Sequence, residues 1–323
     1  MNMQLRDTFG RSIDYIRVSV TDRCNLRCIY CVPSGAHPSC LEAHGPMAAE
    51  KLLWFLKAAK KYGLRKVRLT GGEPLLRPDI AGLIRAIRDI GVEDLSLTTN
   101  GQLLTHSAVG LKDSGLDRVN ISLDSLRPER YRRITGGGSL LPVLRAIGKA
   151  RRCGLSPVKI NMVPVKGIND DEIAGFAKLA ADRDVHVRFI ELMPVGRRGA
   201  AMKNFDRLRV TAEEAKKAAS GAGRLIPLGR SGSSDNYRLS GGRGTIGFIS
   251  PISDHFCDSC NRLRLTAAGR IRPCLFSDYE VDISGASNED EMERLLLLSV
   301  HRKAKGSLLE GAVPGEAMSL IGG

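Results

Sequence analysis

Long hydrophobic runs are missing from this sequence. The first 15 residues hold no apolar core of signal-peptide length, and the longest later run, LLLLSV at 295–300, is too short to cross a bilayer. A soluble, cytoplasmic protein with no membrane partner is therefore expected. No G-x-x-x-x-G-K-S/T loop occurs, which excludes phosphate capture by a P-loop. Low-complexity tracts and internal repeats beyond a strand–helix rhythm are also lacking. So is a basic tail: Lys and Arg number 49 against 35 Asp and Glu, a formal charge of +14, but the excess is spread along all 323 residues. An anionic partner is implied, and charge alone leaves a phosphorylated small molecule as open as a nucleic acid.

What is present alternates. DYIRVSV (14–20), KVRLT (66–70), DLSLTTN (94–100), RVNISLD (118–124), PVKINMVPV (157–165) and VHVRFIEL (185–192) have the period and the Val and Ile content of strands. Between them, residues 47–63, 77–91, 105–115, 138–154 and 169–184 carry helical spacing. Six strand–helix units in series predict an α/β fold with a parallel sheet. Unusual residues gather where those strands end, which favours a partial (βα)6 TIM-like barrel, whose strand ends share one opening. A doubly wound sheet lacks its usual support, because no G-x-G-x-x-G opens a helix after the first strand. The rhythm breaks near residue 205: 210–220 reads as a helix and 229–244 as loop. Two domains are expected, the barrel over 1–205 and a smaller C-terminal domain over 206–323 capping its opening.

Eight cysteines in a reducing compartment point to metal or redox chemistry before disulfides. Cys24, Cys28 and Cys31 follow the first strand as C-x3-C-x2-C, with no fourth Cys or His in that loop before His37. Structural zinc normally takes four ligands. An iron–sulfur cube held by three thiolates keeps one iron open to a small molecule, such as one offering an amine and a carboxylate. Cys257, Cys260 and Cys274 form a second trio, and there a Cys3His zinc site with His255 competes with a second cube. Cys40 and Cys153 stand apart and are read as packing or loop thiols.

C-x3-C-x2-C with Tyr30 before its third cysteine, followed by TGGEP at 70–74, resembles the radical S-adenosylmethionine (SAM) enzymes. RVSVTDRCNLRCIYC, RLTGGEPLLR, LTTNG, VKINMVPVKGIND, RFIELMPVG, the FCDSCNRLRLT segment and the final Gly322-Gly323, in this order, narrow the resemblance to the MoaA family of GTP 3′,8-cyclases in molybdenum-cofactor biosynthesis. Residues 34–46 and 305–319 depart from the family pattern.

The resemblance implies two 4Fe–4S clusters, on Cys24, Cys28 and Cys31 and on Cys257, Cys260 and Cys274, with SAM as cosubstrate. It assigns Tyr30, Gly72, Ser122 and Met193 to SAM, and Arg17, Arg68, Thr98, Lys159, Arg262 and Arg264 to GTP. Arg17, Arg262, Arg264, Gly322 and Gly323 take part in catalysis on the same basis. Several Arg and Lys side chains converging from strand ends suit a triphosphate, through charge-assisted and bidentate hydrogen bonds. An electron donor and a downstream enzyme making cyclic pyranopterin monophosphate are implied partners, no nucleic acid is expected, and the resemblance leaves room for a homodimer. Two competing functions are carried forward: a radical SAM enzyme that modifies RNA or peptide, and a zinc-stabilised nucleic-acid-binding module.

Overall fold

β-Branched and leucine residues at every second position of the early strands make one sheet face apolar, and the helices cover that face. The computed structural model describes residues 4–31, 45–195 and 205–306. β1 (Tyr15–Ser19), β2 (Lys66–Thr70), β3 (Asp94–Thr99), β4 (Arg118–Ser122), β5 (Lys159–Met162) and β6 (His186–Ile190) lie side by side in chain order. Every neighbouring pair among them is parallel. Their crossovers carry α1 (Ala49–Lys61), α2 (Ile80–Asp89), α3 (Leu104–Asp113), α4 (Pro128–Thr135), α5 (Leu140–Arg152) and α6 (Ile173–Arg183). The six units expected of a partial barrel are thus present. Helix α4, which the spacing did not single out, starts on Pro128 and ends at left-handed Gly136, φ 67°.

The remainder of the chain feeds both edges of this same sheet. After α7 (Phe205–Leu208) and α8 (Ala212–Ser220) come β7 (Leu225–Ser231), β8 (Ser234–Leu239), β9 (Thr245–Ile249), β10 (Arg262–Leu265), β11 (Arg270–Arg272), β12 (Val281–Asp282) and α9 (Glu289–His301). The sheet order is β12-β11-β10-β1-β2-β3-β4-β5-β6-β9-β8-β7. Strand β10 pairs parallel with β1 and β9 parallel with β6, so the C-terminal segment lengthens the parallel run at both ends. Residues 229–244, expected as loop, instead hold most of the antiparallel β7–β8 hairpin. Nearly all of β7 is exposed, so no apolar alternation marks it.

One continuous core joins the sheet to its helices. Ile16, Val18, Val67, Leu69, Leu95, Leu97, Val119 and Ile121 pack beneath Phe55, Leu56, Ile84 and Ile87, and Met292 and Leu296 of α9 belong to the same cluster. Removing a side chain such as Phe55, which has no exposed surface, costs about 3–5 kcal/mol. The opposite face of β1 to β5 is left to polar residues. Among the described residues no helix is long and apolar enough to cross a membrane.

Candidate active site between two cysteine loops

The register of β1 and β10 fixes the plan of the site. Both strands run the same way, with Tyr15 opposite Arg262 and Arg17 opposite Arg264. Cys24 and its partners follow the carboxyl end of β1, whereas Cys257 and Cys260 precede the amino end of β10. The two loops therefore stand at opposite ends of a strand pair about 16 Å long, at about 3.3 Å per residue.

Between them the polar face is strongly basic. Tyr15 and Arg17 of β1, Arg68 of β2, Ser96 and Thr98 of β3, Asn120 and Ser122 of β4, Lys159 and Asn161 of β5 and Arg188 of β6 alternate with the buried apolar set. Arg118 is neutralised by Asp94, with Nη2 2.6 Å from Oδ2. Arg68 donates to Ser96 at 3.3 Å and lies over the Tyr15 ring at 5.4 Å. Lys159 and Arg188 have no carboxylate partner among the described residues. Burial, then the charges of Arg188, Arg118 and Arg68, bring Lys159 down to about 7. Burial and neighbouring Arg264 likewise press Arg17 downward, and burial and Arg68 do so for Arg188. Cations held together this way need an anion. Thr98 Oγ1 and Asn161 Oδ1 on the same face are sealed from solvent without a hydrogen-bond partner among the described residues. A ligand would supply one.

The first cysteine loop rests on two backbones that approach it closely. Gly72 N–H donates to Thr21 O at 2.8 Å and Glu73 N–H to Arg23 O at 2.7 Å. A Cβ on Gly72 would fall 2.2 Å from Arg23 O, and one on Gly71 2.3 Å from Thr21 O. The tandem glycines are thus required by packing, whatever else Gly72 contacts. Glu73 accepts from Thr99 Oγ1 and Asn100 N, each at 2.7 Å, which ties the same turn to β3. On the other side Arg27 N–H donates to Thr135 O and Ile29 N–H to Ile134 O at the end of α4. Tyr30 donates to Asp124 Oδ2 at 2.6 Å, so its hydroxyl is already engaged. Leu26 N–H points at Cys24 Sγ, 3.5 Å away.

The second loop is gripped by cations. Arg11 Nη1 donates to Cys257 O at 2.8 Å. Lys303, only 4% exposed, donates to Arg262 O at 2.9 Å and Pro273 O at 2.7 Å. Burial would raise the Cys260 thiol, but Lys303 and Arg262 outweigh it and bring it down to about 7. Met193 and Cys274 both pack against the small cluster of Val195, Leu275 and Phe276. His255 Nδ1 faces Pro251 O at 2.7 Å. Among the described residues no group of three His, Cys, Asp or Glu closes around a single metal ion. Charges at Cys24 and Cys31 nonetheless act on Cys28, and those at Cys274 and Cys260 on Cys257. Thiols close enough to act on one another in each loop suit a multi-iron cube, which takes each thiolate at a separate corner.

Of the residues singled out from the sequence, the strands bring Arg17, Arg68, Thr98, Ser122, Lys159, Arg262 and Arg264 to one face. Gly322, Gly323 and Cys40 lie outside the described residues. Tyr15 and Arg188 of this face are not among the residues the sequence singles out, nor are Ser96, Asn120 and Asn161. Strand parity was the available signal: each shares the parity of a polar residue in a run whose other positions are apolar.

The Radical SAM superfamily pattern matches residues 18–180, and the Molybdenum Cofactor Synthesis C pattern residues 185–308. The chain is 45% identical over 329 aligned residues to a GTP 3′,8-cyclase of Moorella thermoacetica, covering 99% of this chain and 100% of that protein. It is 44% identical to a GTP 3′,8-cyclase of Thermodesulfovibrio yellowstonii, again over 99% of this chain and 100% of the relative. Among solved structures, Streptococcus suis SuiB bound to precursor peptide SuiA is similar with a TM-score of 0.61 at 15% identity, over 87% of this chain and 64% of SuiB. Native anSMEcpe with bound AdoMet gives 0.58 at 16% identity, over 86% of this chain and 79% of that one. These two likenesses concern the fold alone.

Proposed function

Because this chain belongs to the radical SAM family of GTP 3′,8-cyclases, we propose that its two cysteine trios hold the two 4Fe–4S clusters at the ends of the polar strand face and that GTP lies along that face. The protein is a radical SAM enzyme of molybdenum-cofactor biosynthesis acting on GTP. Cys24, Cys28 and Cys31 would hold the first cluster, which with SAM and an electron from the external donor would supply a 5′-deoxyadenosyl radical able to take hydrogen from C3′ of GTP; joining C3′ to C8 would then require one further electron and a proton to give 3′,8-cyclo-7,8-dihydro-GTP.

The chain's own residues bind, orient and shield. Arg17, Arg68, Lys159, Arg262 and Arg264, joined by Arg188, meet the triphosphate, and Thr98 offers its unpartnered hydroxyl. Tyr30, Gly72, Ser122 and Met193 form the SAM side; the Gly72 and Tyr30 contributions pass through the cysteine loop they brace. Residues 1–205 are taken as the barrel domain and 206–323 as the C-terminal domain with the second trio. Gly322 and Gly323 assist catalysis. A cytoplasmic setting, an external electron donor, a downstream enzyme yielding cyclic pyranopterin monophosphate and a homodimer complete the proposal.

One observation carries the placement of GTP: Lys159 and Arg188 lie on the polar face between the cysteine loops and form no ion pair among the described residues, and Asp94, whose charge acts on Lys159, is itself paired with Arg118. A polyphosphate would neutralise them. Anaerobic protein incubated with SAM, a reductant and GTP should yield the cyclised nucleotide and 5′-deoxyadenosine in step. Cleaved SAM beside untouched GTP would transfer the activity to another substrate.

A further inference from the structure

The phenol of Tyr15 has no part in the scheme above. It opens β1 on the polar face, opposite Arg262 of β10 and Lys66 of β2. Its backbone N–H donates to Asn261 O at 3.2 Å, which places it at the end of the face nearest the second cysteine loop. The hydroxyl oxygen is sealed from solvent and makes no hydrogen bond among the described residues. Buried hydroxyls are normally partnered.

The surroundings account for the missing acceptor. The Arg68 guanidinium sits over the Tyr15 ring at 5.4 Å. Burial works to raise the phenol's pKa, yet the charges of Arg68, Arg17, Arg262 and Arg188 outweigh it and draw the pKa down. A guanidinium has five N–H donors and no acceptor. Tyr15 therefore carries a proton, made more acidic by the cations around it, that none of those four arginines can accept. An acceptor has to arrive with a ligand, and a nucleoside triphosphate is rich in acceptor oxygens.

We propose that Tyr15 is a further substrate-contacting residue, its O–H donating to an acceptor oxygen of the nucleotide on the polar face. The proposal rests on GTP binding to that face, and it adds a neutral donor to a set of contacts otherwise dominated by cations. No bond is made or broken at the phenol. Its contribution is one hydrogen bond, strengthened because the acceptor is anionic or strongly polarised and the site is screened from water.

Tyr15→Phe keeps the ring, and with it the stacking under Arg68, while deleting the hydroxyl. Equilibrium binding of GTP to cluster-loaded protein without SAM, and competition by inorganic tripolyphosphate, read the consequence without turnover. GTP affinity should fall about tenfold, with iron content, melting temperature and SAM affinity unchanged. Tripolyphosphate weakened by the same factor puts the acceptor on the phosphates; tripolyphosphate unaffected puts it on the guanosine. Equal GTP affinity in wild type and variant overturns the role of Tyr15 while leaving the GTP site standing. Absence of GTP binding by the wild type overturns the site itself.

Discussion

The buried ammonium of Lys303 donates to the carbonyl oxygen of Pro273 at 2.7 Å. The same nitrogen donates to Arg262 O at 2.9 Å. Pro273 precedes Cys274 and Arg262 follows Cys260 by two residues, so one side chain beyond α9 spans both arms of the second trio. Charged hydrogen bonds of this kind are worth about 1.5–3 kcal/mol each. Lys303→Met retains the length and removes both. Iron after anaerobic reconstitution should drop from about eight toward about four atoms per chain, with SAM cleavage at the first loop retained and uncoupled from GTP. A full iron complement in the variant would remove the bracing role.

Gly72→Ala tests the other loop. The added methyl would sit 2.2 Å from Arg23 O and 2.5 Å from its carbonyl carbon, far inside van der Waals contact, and both are backbone atoms. The turn cannot retreat freely, because Glu73 is anchored to Thr99 and Asn100. The cysteine loop must therefore shift. Loss of the first cluster's electron paramagnetic resonance signal and of SAM cleavage is expected, with the second cluster retained. Normal SAM cleavage by the variant would mean that the glycine is dispensable.

Strands β1 to β6 could be read in advance because both parities carry information: apolar residues meet helices, polar ones meet the site. Strand β10 could not be placed that way. Arg262, Leu263, Arg264 and Leu265 alternate well enough, but nothing local says that this strand lies beside β1, about 250 residues earlier in the chain. That pairing is what sets Arg262 opposite Tyr15 and separates the two cysteine loops. Nor could Lys303 have been found, since an isolated lysine after a helix reads as solvated surface until its carbonyl partners are seen. Cysteine spacing, by contrast, is local, so the two trios could be proposed as ligand sets from the sequence alone.

Deletion of Gly322 and Gly323 addresses residues outside the described part of the structure. Glycines lack the side chain that would obstruct a narrow site. If they act there, the shortened protein should hold both clusters, bind GTP and cleave SAM, yet make no cyclised product. Product formation at the wild-type rate would take the two glycines out of catalysis.

Lys159 gives GTP binding a pH dependence whose sign follows from its surroundings. In the free protein, burial and then the charges of Arg188, Arg118 and Arg68 bring its pKa down to about 7. A triphosphate placed beside it favours the ammonium and raises that value. The bound form therefore holds more protons than the free form above pH 7, and binding takes up protons there. Affinity should be highest below about 7 and fall as pH rises toward the raised pKa of the complex, by at most about tenfold per pH unit. Calorimetry at pH 8 in two buffers of different ionisation enthalpy should report proton uptake. Lys159→Met should bind GTP more weakly at pH 7 and lose most of that uptake. If the variant takes up as many protons as wild type, the lysine is not the titrating group, and the triphosphate does not lie against it.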